Sequence, residues 1–111
     1  MVDDILTEAG FIKGKTFAET RFPKPPKNPY AVWLDDYEAI GSDDKIYYKH
    51  HNYTIELYSE SPERALEENI ETALKRRGLQ YDKDSRYWIE EIRLYQTVYT
   101  FDFYEKMEAI L

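Results

Sequence analysis

The chain has 111 residues, the usual size of one compact domain, and is read as a single domain over 1–111 that buries a core without staples. It contains no cysteine, which excludes disulfides and thiolate metal sites and suits a reducing cytoplasm. A net charge of −7 argues against whole-protein affinity for nucleic acid or anionic membrane, no segment approaches the ~18 apolar residues of a membrane span, and residues 1–6 lack a basic or long apolar leader, so a soluble, untargeted chain is expected.

Val2, Ile5, Leu6 and Ala9 fall on one helical stripe, with Asp3 and Asp4 near the positive end of the dipole and Gly10 as a stop. The next segment, about residues 11–29, is a basic, proline-rich arm or loop. Between Phe11 and Tyr30, Lys13, Lys15, Arg21, Lys24 and Lys27 stand against Glu19 alone, a net of +4 that leaves −11 for the rest of the chain. Pro23, Pro25, Pro26 and Pro29 remove ladder donors and favour extended polyproline geometry. The five cations are candidate protein–protein contacts; an ordinary solvated loop is the competing reading.

Residues 30–35 read as a strand and 45–58 as a second, long one, joined by turn chemistry at Gly41-Ser42-Asp43-Asp44, which together predict a hairpin. In the second strand Tyr53, Ile55 and Leu57 share the core face, opposite Thr54, Glu56 and Tyr58. A central helix is predicted over 62–77, capped by Ser61, entered by Pro62 and carrying the stripe Leu66, Ile70, Ala73 and Leu74. Gly78 and Leu79 complete a Schellman-type stop after Lys75, Arg76 and Arg77. A polar turn is expected at Asp82-Lys83-Asp84-Ser85, then strand from Tyr87 to Tyr104 with a bulge or turn near Glu90-Glu91. Tyr95, Tyr99, Phe101 and Phe103 hold one parity and Leu94 and Val98 the other, so one face suits a helix and the other a subunit. Residues 105–111 are read as a short helix or an extension. The fold class is α+β: a mixed, largely antiparallel sheet of about four strands, with the N-terminal and central helices on one face.

Catalytic chemistry is not visible in the residues. His50 and His51 are neighbours on a strand and point to opposite faces, so without help from a turn they cannot chelate one metal together. Asp35-Asp36, Asp43-Asp44 and Glu90-Glu91 sit at strand ends or turns with no nucleophile and base beside them, and the four glycines form no phosphate cradle. No catalytic residue, cofactor site or metal site is assigned, and a non-enzyme is expected. Asn52-Tyr53-Thr54 matches a glycosylation sequon but lies inside a predicted strand, and Pro23-Lys24-Pro25-Pro26 fits a structural arm better than an SH3 ligand. Eleven tyrosines and two tryptophans suit either a protein–protein surface or a tyrosine-rich sheet face.

The order of elements narrows the function. A short N-terminal helix is followed by a loop ending in Asn28-Pro29-Tyr30-Ala31-Val32-Trp33 and a long strand ending in Tyr53-Thr54-Ile55-Glu56-Leu57-Tyr58. The helix opening Ser61-Pro62-Glu63-Arg64-Ala65-Leu66-Glu67-Glu68 comes next, and Leu94-Tyr95-Gln96-Thr97-Val98-Tyr99 closes the pattern. From about residue 2 to 104 this resembles the small tail terminator or tail completion proteins of long-tailed bacteriophages and prophages, which act in head-to-tail joining. The resemblance implies a mixed sheet flanked by helices and a structural virion protein. Its implied working form is a ring, commonly a hexamer, that caps the tail tube and meets the head connector after assembly in the host bacterial cytoplasm. No sequence-specific nucleic acid, membrane or cofactor is implied as a partner. The chain is shorter than many members, and no individual contact residue is carried across. The alternative is a small bacterial interaction or regulatory adaptor of the same α+β class, acting as a monomer or dimer.

Overall fold

Val2, Ile5 and Leu6 fold into helix α1 (Val2–Glu8) with Ala9 as its C-cap, and all four side chains are buried. The structure, a computed structural model, describes residues 1–41 and 46–108. Gly10 takes φ +106°, which lets the Phe11 N–H reach the Leu6 carbonyl (3.0 Å) and the Gly10 N–H the Thr7 carbonyl (3.1 Å). The helix thus ends in a Schellman turn that drops Phe11 into the core.

Six strands follow: β1 (Phe17–Glu19), β2 (Tyr30–Ile40), β3 (Ile46–Ser59), β4 (Tyr81–Lys83), β5 (Tyr87–Ile89) and β6 (Leu94–Glu108), with helix α2 (Arg64–Arg76) between β3 and β4. The sheet order is β1-β2-β3-β6-β4, with β5 also on β6; β1 is parallel to β2 and all other pairs are antiparallel. This is the expected mixed, largely antiparallel α+β sheet with both helices on one face, built from six strands rather than about four. The two additions, β1 and β4, are three-residue pieces recruited to the edges of long strands.

Several local expectations need correction. The polar turn at 82–85 is in part a strand, because Tyr81 and Lys83 bond the carboxylates of α2 and so hold a charged segment against the sheet. Helix α2 starts at Arg64 with Glu63 as N-cap and no side-chain cap, so Ser61 does not cap it and Pro62 lies outside. Its end is as expected: Gly78 has φ +68°, and Leu79 N–H and Gly78 N–H close on the Leu74 and Lys75 carbonyls at 3.1 and 3.0 Å. The C-terminal segment is strand rather than helix as far as Glu108; residues 109–111, and the expected hairpin turn at Ser42–Asp44, lie outside the described residues. The turn near Glu90-Glu91 joins β5 to β6, with Arg93 N–H bonded to the Ile89 carbonyl at 2.8 Å.

The main core lies between the helices and the front face of the sheet. Ile55, Leu57, Tyr99 and Phe101 from the sheet meet Ile5, Leu6, Ile70 and Leu74 from the helices. The front face of β3 is the predicted one, Tyr53, Ile55 and Leu57. On the back face a smaller cluster forms from Tyr30, Val32 and Leu94 under Phe22 and Tyr58. Leu94 is therefore covered by its own chain.

Candidate functional site

Among the described residues, the three long strands continue beyond the helices as a bare sheet. From the described sheet residues the main core ends at Tyr53 and Phe101, with Trp33 and Phe103 at its margin, while β2 is exposed from Asp36 to Ile40. β1 pairs with β2 only through Trp33, and β4 with β6 only up to Phe101. Among the described residues, both edges of this extension are consequently open, β2 from Leu34 and β6 from Asp102. The extension also exposes Tyr37, Ile40, Tyr48 and Tyr104. It stretches the molecule to 50 × 29 × 23 Å, with a radius of gyration of 15.8 Å against about 13 Å for a compact domain of this length. Charged residues along open edges discourage indiscriminate strand pairing, and Asp35, Asp36 and Glu38 on β2 and Asp102, Glu105 and Lys106 on β6 have that position.

Each histidine is held between carboxylates of the flanking strands, on opposite faces as its strand position requires. On the front face the buried His51 ring lies between Asp35 (Nδ1 to Oδ2, 2.8 Å) and Glu105 (Nε2 to Oε1, 3.1 Å) and stacks on Tyr53. On the back face His50 Nε2 donates to Asp102 Oδ1 at 2.8 Å, Nδ1 lies 3.6 Å from Glu38, and the ring stacks on Tyr104 with centroids 4.5 Å apart. Among the described residues no group of three His, Cys, Asp or Glu side chains is arranged to hold a metal ion.

The Asp102 hydrogen bond raises the His50 pKa above its ordinary 6.5, outweighing partial desolvation, with Glu38 adding to it. Asp102 is in turn held below its usual range by Asn52 and His50. A raised histidine pKa means the contact contributes fully below pH 6.5 and is lost as pH rises through the folded value. The His50 ring resonances should therefore titrate with a midpoint above 6.5, and Asp102→Asn should move it down. An unmoved midpoint in the variant would remove Asp102 as the cause.

The five basic candidates divide. Lys13 is engaged with Asp3 at 2.7 Å, which also accepts from Trp33 Nε1 at 3.1 Å, so it ties the arm to α1 and β2. Lys15, Arg21, Lys24 and Lys27 are exposed. The arm folds back as a strap over the back face: Phe22 meets Tyr30 edge-on at 5.8 Å, Tyr30 stacks on Tyr58 at 5.2 Å, and Asn28 Oδ1 accepts the Glu60 N–H at 3.1 Å.

No protein-family model and no curated protein matches the chain. The local geometry therefore carries the functional reading. A cleft of ≈ 470 Å³ between Asn28, Glu60, Trp88, Ile92, Arg93 and Leu94 is a shallow surface feature. The buried carboxylate of Glu67 is bonded by Lys83 and Arg86 and ties α2 to the sheet. Sequence reasoning placed Asp35-Asp36 at a strand end, whereas they lie inside β2, and it missed Glu38 and Asp102; Asp36, Glu38 and Asp102 converge on one face only once the strands are paired.

Proposed function

We propose that the chain is a structural, non-enzymatic subunit that self-assembles at the head-to-tail joint of a long-tailed phage or prophage, as a tail terminator or tail completion protein. The observation that carries this reading is the bare sheet extension, with two open edges and exposed Tyr37, Ile40, Tyr48 and Tyr104. An exposed apolar surface with unpaired strand edges is costly for a chain that stays alone, and neighbouring subunits are the natural cover. The order of elements supports the phage setting, and a ring on the tail tube, meeting the head connector, is the working form.

Sedimentation velocity over a wide concentration range, with negative-stain imaging of the largest species, tests the proposal. A ring or a concentration-driven oligomer is the expected result. A monomer throughout would favour the adaptor reading instead.

A further inference from the structure

The back face of the sheet carries two patches of opposite charge that one chain cannot bring together. At one end lies the strap, where Arg21, Lys24 and Lys27 are exposed. The ion-paired cations among the described residues are Lys13, Arg76, Arg77, Lys83 and Arg86, so these three are not committed within the chain. At the other end lie Asp36, Glu38 and Asp102, on the same face because Glu38 pairs directly with His50, Asp36 with Asn52, and Asn52 with Asp102. Glu38 and Asp102 have side chains 72% and 58% exposed. From Tyr30, beneath the strap, to Glu38 the strand rises about 27 Å, farther than the lysines near Phe22 and Asn28 can reach.

We infer that the acidic end of this back face is the docking surface for the basic strap of a second copy of the chain. This rests on the reading of the protein as a self-assembling subunit and names the surfaces that would join. Three observations select the occupant. The strap carries exposed Arg21, Lys24 and Lys27, outside any ion pair among the described residues of a chain of −7, so docking it on the acidic end sets opposite charges together, whereas two acidic ends meeting would set like charges together. The strap is pre-formed, anchored by Phe22 on Tyr30 and by Asn28 on Glu60, so docking it orders little new chain. No described segment covers the acidic end, and Tyr48, Ile40 and Tyr104 border it, with Lys106 beside Tyr48 at its far margin, which gives the ion pairs a partly apolar surround. A two-fold pair and a closed ring can both be built through these same two surfaces.

Sedimentation velocity of the full chain at low and moderate salt is the test. Lys24→Glu with Lys27→Glu should weaken self-association about ten-fold and flatten its salt dependence. Asp36→Lys with Glu38→Lys should do the same, and all four changes in one chain should restore association by swapping the charges. Because the chain lacks cysteine, a second measurement is clean: Lys27→Cys chains mixed with Glu38→Cys chains should give the mixed covalent pair with a short bis-maleimide. An oligomer that ignores both reversals, shows no rescue and gives no mixed pair overturns the contact while leaving self-assembly intact. A monomer at every concentration overturns both.

Discussion

Ile70→Ala should lower the unfolding free energy by about 2–5 kcal/mol, the cost of a large-to-small change at a closed core site. Ile70 is 0% exposed and sits among Ile55, Leu57, Leu74 and Tyr99, so the lost methyl groups leave a cavity that rigid sheet residues cannot fill. Leu66→Ala is the internal control. Leu66 belongs to the same sequence stripe but is only half-buried at the margin of the core, and its removal opens a notch to water. It should cost about 1–2 kcal/mol. Urea unfolding of both variants at fixed slope checks the order. Equal losses would mean that the helix is rotated toward Leu66.

That difference between Leu66 and Ile70 marks where sequence patterning stops. The stripe of α1, the two glycine-terminated helix ends and the inward face of β3 are set by local periodicity and by φ > 0 at Gly10 and Gly78, so they are legible residue by residue. The opposite faces of His50 and His51 follow from the two-residue strand period in the same way. Their partners do not, because Asp102 and Glu105 lie 52 and 54 residues away and are brought in by the β3–β6 register. β1 and β4 are too short to have a pattern of their own. The strap was readable as basic and proline-rich; its return over the back face depends on Phe22 finding the Tyr30–Tyr58 stack. The assembly surface is the least legible part, since an alternating strand with one solvated face looks the same whether or not another subunit covers it.

The other large effect belongs to a charge inside the stripe of α2. Glu67 has a side chain 3% exposed, spaced with Ile70, Glu71 and Leu74 on the inward face, where a hydropathy pattern would not place a carboxylate. It is tolerated because its oxygens are filled: Lys83 Nζ donates at 2.9 Å, Arg86 Nε at 2.6 Å, and Thr97 Oγ1 lies at 3.4 Å. Glu71 adds a second tie, accepting from Tyr99 OH at 2.8 Å and from Lys83 at 2.9 Å. Burial alone would raise the Glu67 carboxyl, but the hydrogen bonds from Arg86 and Lys83 outweigh it and hold the pKa below its ordinary 4.5. Breaking a buried pair from one side costs about 3–5 kcal/mol, and Glu67→Ala should fall at the low end of that range. Lys83 and Arg86 have side chains 34% and 27% exposed and can turn to water, so the stranded cations are only partly buried. Glu67→Met, which fills the space without the charge, should recover part of the loss. A depressed carboxyl pKa adds stability above the unfolded value and loses it as pH falls through the folded one, so the wild-type chain should weaken below pH 4.5. Glu67→Gln should flatten that acid limb, leaving a residual slope from Glu71, Glu8 and Asp102, whose pKa values are also lowered. Thermal melts between pH 3 and pH 7 compare the two chains; an acid limb unchanged in Glu67→Gln would show that the buried carboxyl is not what couples α2 to the sheet.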